Sequence, residues 1–310
     1  MLALLFPGQG SQRPQMGAPW TGHPAWAVVD RLSEATGRDV AGLLTEADVD
    51  TLKATRNAQL AAFALSLVTL YAARASGLEY VPVAAVAGHS LGEYTALVAA
   101  EAMPADAGAR LVAARGDAMQ AAADAAPGTM AAVLGLDPDL VRKACEGVDG
   151  AWPANDNAPG QVVIAGTPEG VERAGEAAKV LGAKRVMPLP VGGAFHSPLM
   201  APAQGALDAA LDEAHFHDAT VDVVANVDAT IHRDGFTGLL SRQLVSPVRW
   251  RESLETLARA GVTHFLELGS GIELSGMVKR TVEGSDRANV STPEDLDRLV
   301  AFLAPVRDRT

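Results

Sequence analysis

The stretch VPVAAVAGHSLGEYTALVAA, residues 81–100, restricts the possible folds more than any other part of the chain. An apolar run, Val81 to Ala87, meets Gly88-His89-Ser90-Leu91-Gly92, and a run with helical spacing, Tyr94 to Ala100, follows. This predicts a strand, a sharp turn and a helix, with Ser90 at the turn. G-x-S-x-G in that setting marks a nucleophile elbow; the bland alternative is a Gly/Ser turn. Glycines on both sides of the serine suit a turn too tight for neighbouring Cβ atoms. A serine so placed stands at the start of a helix, where unpaired N–H groups stabilise negative charge.

The rest of the chain is long enough to build a large core around that turn. With 310 residues, 48% of them hydrophobic, roughly two domains or one large α/β domain are expected. Lys+Arg 25 against Asp+Glu 37 gives a net charge of −12, which argues against nucleic-acid and anionic-membrane binding. A single Cys145 excludes an internal disulfide and fits a reducing compartment. The opening MLALLFPGQG lacks a basic segment and its apolar run stops at Pro7, so neither a signal peptide nor a membrane span is expected. Together these point to a cytoplasmic protein.

Leu2–Phe6 reads as a strand running into Pro7-Gly8-Gln9-Gly10-Ser11-Gln12. That loop is either an ordinary strand-to-helix turn or a set of backbone N–H donors beside the elbow. Helical segments follow around 24–36 and 47–54, then a strong helix with Asn57 as N-cap and Gly77 past its end. After the elbow, a helix runs from Ala105 to about Ala126. It carries Arg115 among small residues, and composition alone favours a solvated surface charge there over a placed anion partner.

From Pro127 the order is strand, helix, two strands, helix, strand, the ferredoxin-like split βαββαβ motif. We read 127–192 as a small subdomain inserted into a large α/β-hydrolase-like domain with a parallel sheet, formed by 1–126 and 193–310. Between the middle strands, Asn155-Asp156-Asn157-Ala158-Pro159-Gly160 reads as a turn whose asparagines either shape it or line a site. The chain re-enters the large domain through Gly193-Ala194-Phe195-His196-Ser197-Pro198, where Ser197 and Pro198 start a helix. His196, in a loop just before that start, is the best placed of the seven histidines for a general base. His89 sits inside the elbow but should point away from Ser90. A second Ser-Pro pair, Ser246-Pro247, predicts a helix through Leu257; a strand over 262–268 and a helix over 272–282 follow. The tail after Gly284 reads as polar until a helix at 293–302.

A serine on an elbow needs a base and an oxyanion hole. The N–H of Leu91 is one natural donor, and Gln9 supplies a second if the two strands are neighbours. No metal-binding spacing is present, and none of the aspartates between Ser90 and His196 stands out as a triad acid.

Phe6-Pro7-Gly8-Gln9-Gly10-Ser11-Gln12, Gly88-His89-Ser90-Leu91-Gly92-Glu93, Arg115-Gly116 with Met119-Gln120, Pro159-Gly160-Gln161 and Phe195-His196-Ser197 occur in one chain, in this order. Together they resemble the malonyl-CoA:acyl carrier protein transacylase family of fatty acid synthesis, related to polyketide synthase acyltransferase domains. The resemblance covers nearly the whole chain. It implies transfer of malonyl from malonyl-CoA to the phosphopantetheine thiol of acyl carrier protein, ping-pong, through a malonyl-Ser90 ester and with no cofactor. It implies His196 as the base, oriented by a backbone carbonyl at the position of Gln243, and an oxyanion hole of the Gln9 and Leu91 N–H groups. It implies that Arg115 binds the malonyl carboxylate, against the reading from composition. Ala194-Phe195-His196 resembles the malonyl-selective polyketide pattern, with Phe195 crowding an α-methyl branch, although Gly193 departs from the histidine of that pattern. Asn157 is a further candidate for the pocket lining. Lys184-Arg185 and Lys279-Arg280 are the candidate docking patches for an acidic carrier. Two other functions stay open: the malonyltransferase subunit of a malonate decarboxylase, and a serine thioesterase or hydrolase.

Overall fold

The computed structural model of the chain describes residues 1–307. Its strands, in chain order, are β1 (Leu2–Phe6), β2 (Val83–Gly88), β3 (Thr129–Leu134), β4 (Ala151–Ala158), β5 (Gln161–Gly166), β6 (Arg185–Pro188), β7 (Asp222–Val224), β8 (Ile231–His232), β9 (His264–Leu268) and β10 (Asp286–Val290). They form a six-stranded sheet, β10-β9-β1-β2-β7-β8, and a four-stranded sheet, β4-β5-β3-β6. The first is parallel except for β8, which turns back against β7. The second is antiparallel, in the strand order of the split βαββαβ motif. The expected fold class, a parallel-sheet α/β domain with a ferredoxin-like insertion, is the observed one.

Every residue of β1 is buried, as a central parallel strand covered on both faces requires. Its alternating side chains divide between two cores. Leu2, Leu4 and Phe6 join the helix Thr55–Ala75 in one; Ala3 and Leu5 meet Val248, Trp250, Leu254 and Val278 in the other. The helix Thr55–Ala75 is long and apolar enough to cross a membrane, but most of it lies inside the protein. The four-stranded sheet keeps a core of its own, with Val133, Val141, Ile164 and Ala174.

β1 and β2 are neighbours in register, Phe6 opposite Gly88, and the His89 N–H donates to the Phe6 carbonyl at 3.0 Å. The Gly8 loop and the elbow therefore leave the sheet side by side at the carboxyl ends of their strands, where open α/β sheets place their ligands. The four-stranded sheet is fastened over this end. Val248 accepts from Asp156 N–H at 2.9 Å and donates to the Ala154 carbonyl at 2.8 Å, and Arg251 pairs with Asp156 at 2.8 Å.

Several local expectations give way. Asn155 to Ala158 belong to β4, because β5 and Val248 hydrogen-bond that segment from both sides; the turn is confined to Pro159-Gly160. For the same reason Ser246-Pro247 starts no helix, and the helix waits until Trp250. Ala54, not Asn57, stands at the N-cap position of the helix Thr55–Ala75, with no side-chain cap; the Asn57 amide donates to the Thr51 carbonyl. The polar segment after Gly284 contains β10, an edge strand paired to β9, and a helix unforeseen from the pattern runs Phe236–Val245.

Candidate active site

Ser90 sits between β2 and the helix Gly92–Ala99 with φ +53°, a left-handed conformation that strains a residue with a Cβ by about 1–2 kcal/mol. The turn closes because its glycines are bare. A Cβ on Gly88 would collide with the Gly92 backbone, and one on Gly92 with the Phe6 carbonyl. Asn226, in the loop after β7, holds the strained turn on two sides: its Oδ1 accepts from the Ser90 N–H at 2.6 Å and its amide donates to the Gly88 carbonyl at 2.7 Å.

His196 reaches the same point from the loop before the helical turn Pro198–Met200, with Ser197 capping that turn through Leu199 N–H. Its Nε2 lies 2.6 Å from Ser90 Oγ, and its Nδ1 lies 3.0 Å from the Gln243 carbonyl oxygen. A carbonyl only accepts, so Nδ1 carries the proton and Nε2 is left to accept the Ser90 hydroxyl proton. The imidazole is 4% exposed. Burial, then the nearby Arg115 cation, push its pKa down to about 3, against the bond to Gln243. The histidine is therefore neutral, the form a general base needs. His89 points away, as expected: its Nε2 donates to Asn157 Oδ1 at 2.8 Å and its ring packs edge-on to Trp250.

Arg115 is 1% exposed, which overturns the surface assignment that its helix composition suggested. The helix Ala105–Ala125 turns this face inward because its small residues let it pack closely; a Cβ on Gly116 would lie 2.9 Å from the Arg56 backbone. The guanidinium donates to Gln59 Oε1 at 2.6 Å, Gln243 Oε1 at 3.1 Å and Ser90 Oγ at 3.2 Å. It lies 5.2 Å from the centre of the Tyr94 ring, and its Nε has no hydrogen-bond partner among the described residues. Among the described residues no carboxylate hydrogen-bonds to it. A buried cation whose hydrogen-bond partners are all neutral is poised to pair with an incoming anion.

The Gly8 loop abuts the elbow so closely that a Cβ on Gly8 would strike the His89 carbonyl oxygen and lie 3.5 Å from Leu91 N. Neither the Gln9 nor the Leu91 N–H donates to another group of the protein among the described residues. The cleft above Ser90 has a volume of about 240 Å³ and is lined by Gln9, His89, Met119, Asn157, Phe195 and His196, among others. Gly193 shapes it indirectly: a Cβ there would lie 2.8 Å from the Phe195 ring.

The structure thus brings the sequence-predicted residues together: Ser90, His196, Arg115 and Gln243 through hydrogen bonds, with Gln9, Asn157 and Phe195 around the cleft. The sequence pattern does not single out Gln59, Asn226 and Glu93 as site residues. They are polar, buried and far apart in sequence; only a polar residue inside an apolar helix run, such as Gln59 among Ala58, Leu60 and Ala61, hinted at one of them.

A doubly flanked parallel sheet with a strained serine on its elbow and a neutral histidine hydrogen-bonded to it defines the class of serine-dependent acyl-transfer enzymes. The comparisons agree. A family profile described as the acyl transferase domain matches residues 3–298. The chain belongs to this acyltransferase family and is an acyltransferase. It is 40% identical over 315 residues to the malonyl CoA-acyl carrier protein transacylase of Bacillus subtilis (strain 168), covering 99% of this chain and 98% of the relative. Among solved structures it is similar to the acyl-carrier-protein S-malonyltransferase from Burkholderia pseudomallei 1710b, with a TM-score of 0.92, 40% identity, and coverage of 97% of this chain and 99% of that one. It is also similar in fold to a malonyl-transacylase solved in complex with its type II PKS acyl-carrier protein: TM-score 0.91, 37% identity, 98% and 99% coverage.

Proposed function

We propose that the protein transfers malonyl from malonyl-CoA to the phosphopantetheine thiol of acyl carrier protein, as a step of fatty acid biosynthesis in the cytoplasm. The observation that carries this reading is Arg115, buried, with its guanidinium 3.2 Å from Ser90 Oγ. An esterase or thioesterase acting on neutral acyl groups has no use for a buried cation at that distance. The names of the relatives point the same way.

In this reading Ser90 Oγ attacks the thioester carbonyl carbon while His196 Nε2 takes the hydroxyl proton. The oxyanion forms against the unpaired N–H groups of Gln9 and Leu91. Collapse breaks the C–S bond, and the imidazolium returns its proton to the sulfur of coenzyme A. The carrier thiol then gives its proton to Nε2, its sulfur attacks the malonyl-Ser90 ester, and Ser90 recovers the proton. The Gln243 carbonyl orients the imidazole throughout. Arg115 grips the malonyl carboxylate in a fork-to-carboxylate pair, and Phe195 crowds any α-methyl branch. Asn157 holds His89 against the wall of the pocket. We also assign 127–192 as a subdomain within the large domain, since it has its own sheet and core.

The test is direct. The protein is incubated with malonyl-CoA or acetyl-CoA and its intact mass is measured, with Ser90→Ala as control. A malonyl adduct that forms faster than the acetyl adduct and is absent in the control is expected. No adduct, or an equal preference, overturns the reading.

A further inference from the structure

One carboxyl inside the site has no part in the steps above. Glu93 is the second residue of the elbow helix and is 1% exposed. Its Oε2 accepts two hydrogen bonds, from Gln243 Nε2 at 2.9 Å and from the Asn226 backbone N–H at 3.0 Å. These two partners are the residues that grip everything else. Asn226 clasps the strained Ser90 turn at both ends. Gln243 donates to the Ser90 carbonyl at 2.9 Å, offers its own carbonyl to His196, and turns Oε1 to Arg115. The orientation of the Gln243 amide follows from Glu93: its NH₂ faces two acceptors, so its oxygen must face the guanidinium. Nucleophile, base and arginine are each one hydrogen-bonded residue away from a single carboxylate oxygen.

The charges add a second observation. His196 and His89 are buried and neutral, and Tyr94, pushed up to about 12 chiefly by burial, is neutral too. The charged groups that reach Glu93 are Arg115, which favours its ionised form, and Asp228 from the loop after β7, which disfavours it. The helices Thr55–Ala75 and Phe236–Val245 meet the site through the neutral Gln59 and Gln243. With Glu93 ionised, Arg115 and Glu93 balance inside the empty site. A malonyl carboxylate on Arg115 adds a second anion to a desolvated space holding one cation, and one of the two anions must then be neutralised or the pair is strongly penalised.

We propose that Glu93 is a positioning residue and the proton-linked counter-charge of the malonyl pocket: it aligns Gln243 and Asn226 around Ser90, and it takes up a proton as the substrate carboxylate replaces it as the partner charge of Arg115. Burial already lifts its carboxyl to about 7, so the extra anion pushes it across neutral pH. An acetyl group adds no charge and calls for no proton. The thioester exchange is itself proton-neutral near pH 7, because the Ser90 hydroxyl proton ends on the coenzyme A sulfur. Proton uptake therefore reports the carboxyl alone. This inference rests on Arg115 being the malonyl carboxylate site.

The experiment is calorimetric loading of the full-length protein at pH 7 with malonyl-CoA or acetyl-CoA, in two buffers of different ionisation enthalpy. A substantial fraction of a proton taken up per malonyl-enzyme, and none per acetyl-enzyme, is expected. In Glu93→Gln, which keeps the shape and an acceptor oxygen, the malonyl uptake should vanish. Its malonyl kcat/KM should stay level above pH 7, relative to acetyl, where the wild-type ratio declines toward a tenfold loss per pH unit. No uptake by the wild-type protein, or equal uptake by Glu93→Gln, overturns the proposal, and the wild-type measurement decides even if the variant does not fold. Failure of the underlying reading looks different: malonyl loading would then be insensitive to Arg115→Ala. Loading that needs Arg115 but moves no proton refutes the role of Glu93 alone.

Discussion

Two clusters meet at Ser90 Oγ, and they are built on opposite electrostatic plans. On one side stands His196, held neutral by burial and by the cation beside it, with its other nitrogen tied to a backbone carbonyl. On the other stands Arg115, also buried, hydrogen-bonded among the described residues to the neutral oxygens of Gln59, Gln243 and Ser90 and lying over the Tyr94 ring. In the proposed function the first cluster needs no charge before the reaction begins, so it would treat all acyl thioesters alike. The second holds a charge without a direct counter-ion among the described residues, and in the proposed function it discriminates among them. The proposed function thus assigns rate and choice to different residues that share one atom.

Variants that damage the first cluster should have the largest effect and show no preference between acyl groups. Ser90→Ala and His196→Ala are expected to lower transfer of both malonyl and acetyl by about 10⁴-fold or more, read from single-turnover loading. Arg115→Ala comes next and should separate the clusters. Losing one partner of a desolvated charge pair costs about 2–5 kcal/mol, roughly 30-fold to several thousand-fold in malonyl kcat/KM. Acetyl transfer should change only a few-fold. Equal losses for both acyl groups would erase the distinction between the two clusters.

The pH profile sharpens the contrast. His196 keeps its base form well below the ordinary histidine range, so acetyl kcat/KM should show no half-loss near pH 6.5. In Arg115→Ala a neighbouring cation is gone, and the acid limb should move upward. Stability carries the matching sign. The unfolded chain protonates this histidine at about 6.5 while the folded protein resists until about 3, so its contribution is complete above 6.5 and is lost as pH falls through that window. Thermal unfolding from pH 7 down to 4 would show it. The smallest effect concerns the rim. Reversing the charges of Lys184-Arg185 and Lys279-Arg280 should weaken carrier binding several-fold at low salt and little at high salt. Arg280 already donates to Gln161, which ties the late helix Glu273–Thr281 to the four-stranded sheet. Unchanged affinity at low salt would remove these patches from the docking surface.

Much of the first cluster could be read along the chain. The elbow, β1 and the Ser197-Pro198 helix start are patterns a few residues long, and the loop position of His196 follows from the last of them. The second cluster could not be read that way. An arginine among alanines and glycines looks solvated until the helix is known to pack its small face inward, and only the family resemblance pointed to Arg115 and Gln243. Asn226 and Glu93 meet Ser90 and Gln243 across 136 and 150 residues. Asn155 to Ala158 have a turn composition, yet they form a strand because β5 and Val248 supply hydrogen bonds on both sides; pairing outweighs weak intrinsic preference.

What the amino-acid order determined by itself was the strand, sharp turn and helix that carry Ser90, because the apolar runs and the Gly88-His89-Ser90-Leu91-Gly92 pattern between them are local. What only the tertiary structure decided was the electrical setting of that serine: which imidazole is neutral, which guanidinium is buried, and which carboxyl lies beneath them. Those properties arise from desolvation and from charges brought together over long stretches of chain, and neither is defined until the whole molecule has packed.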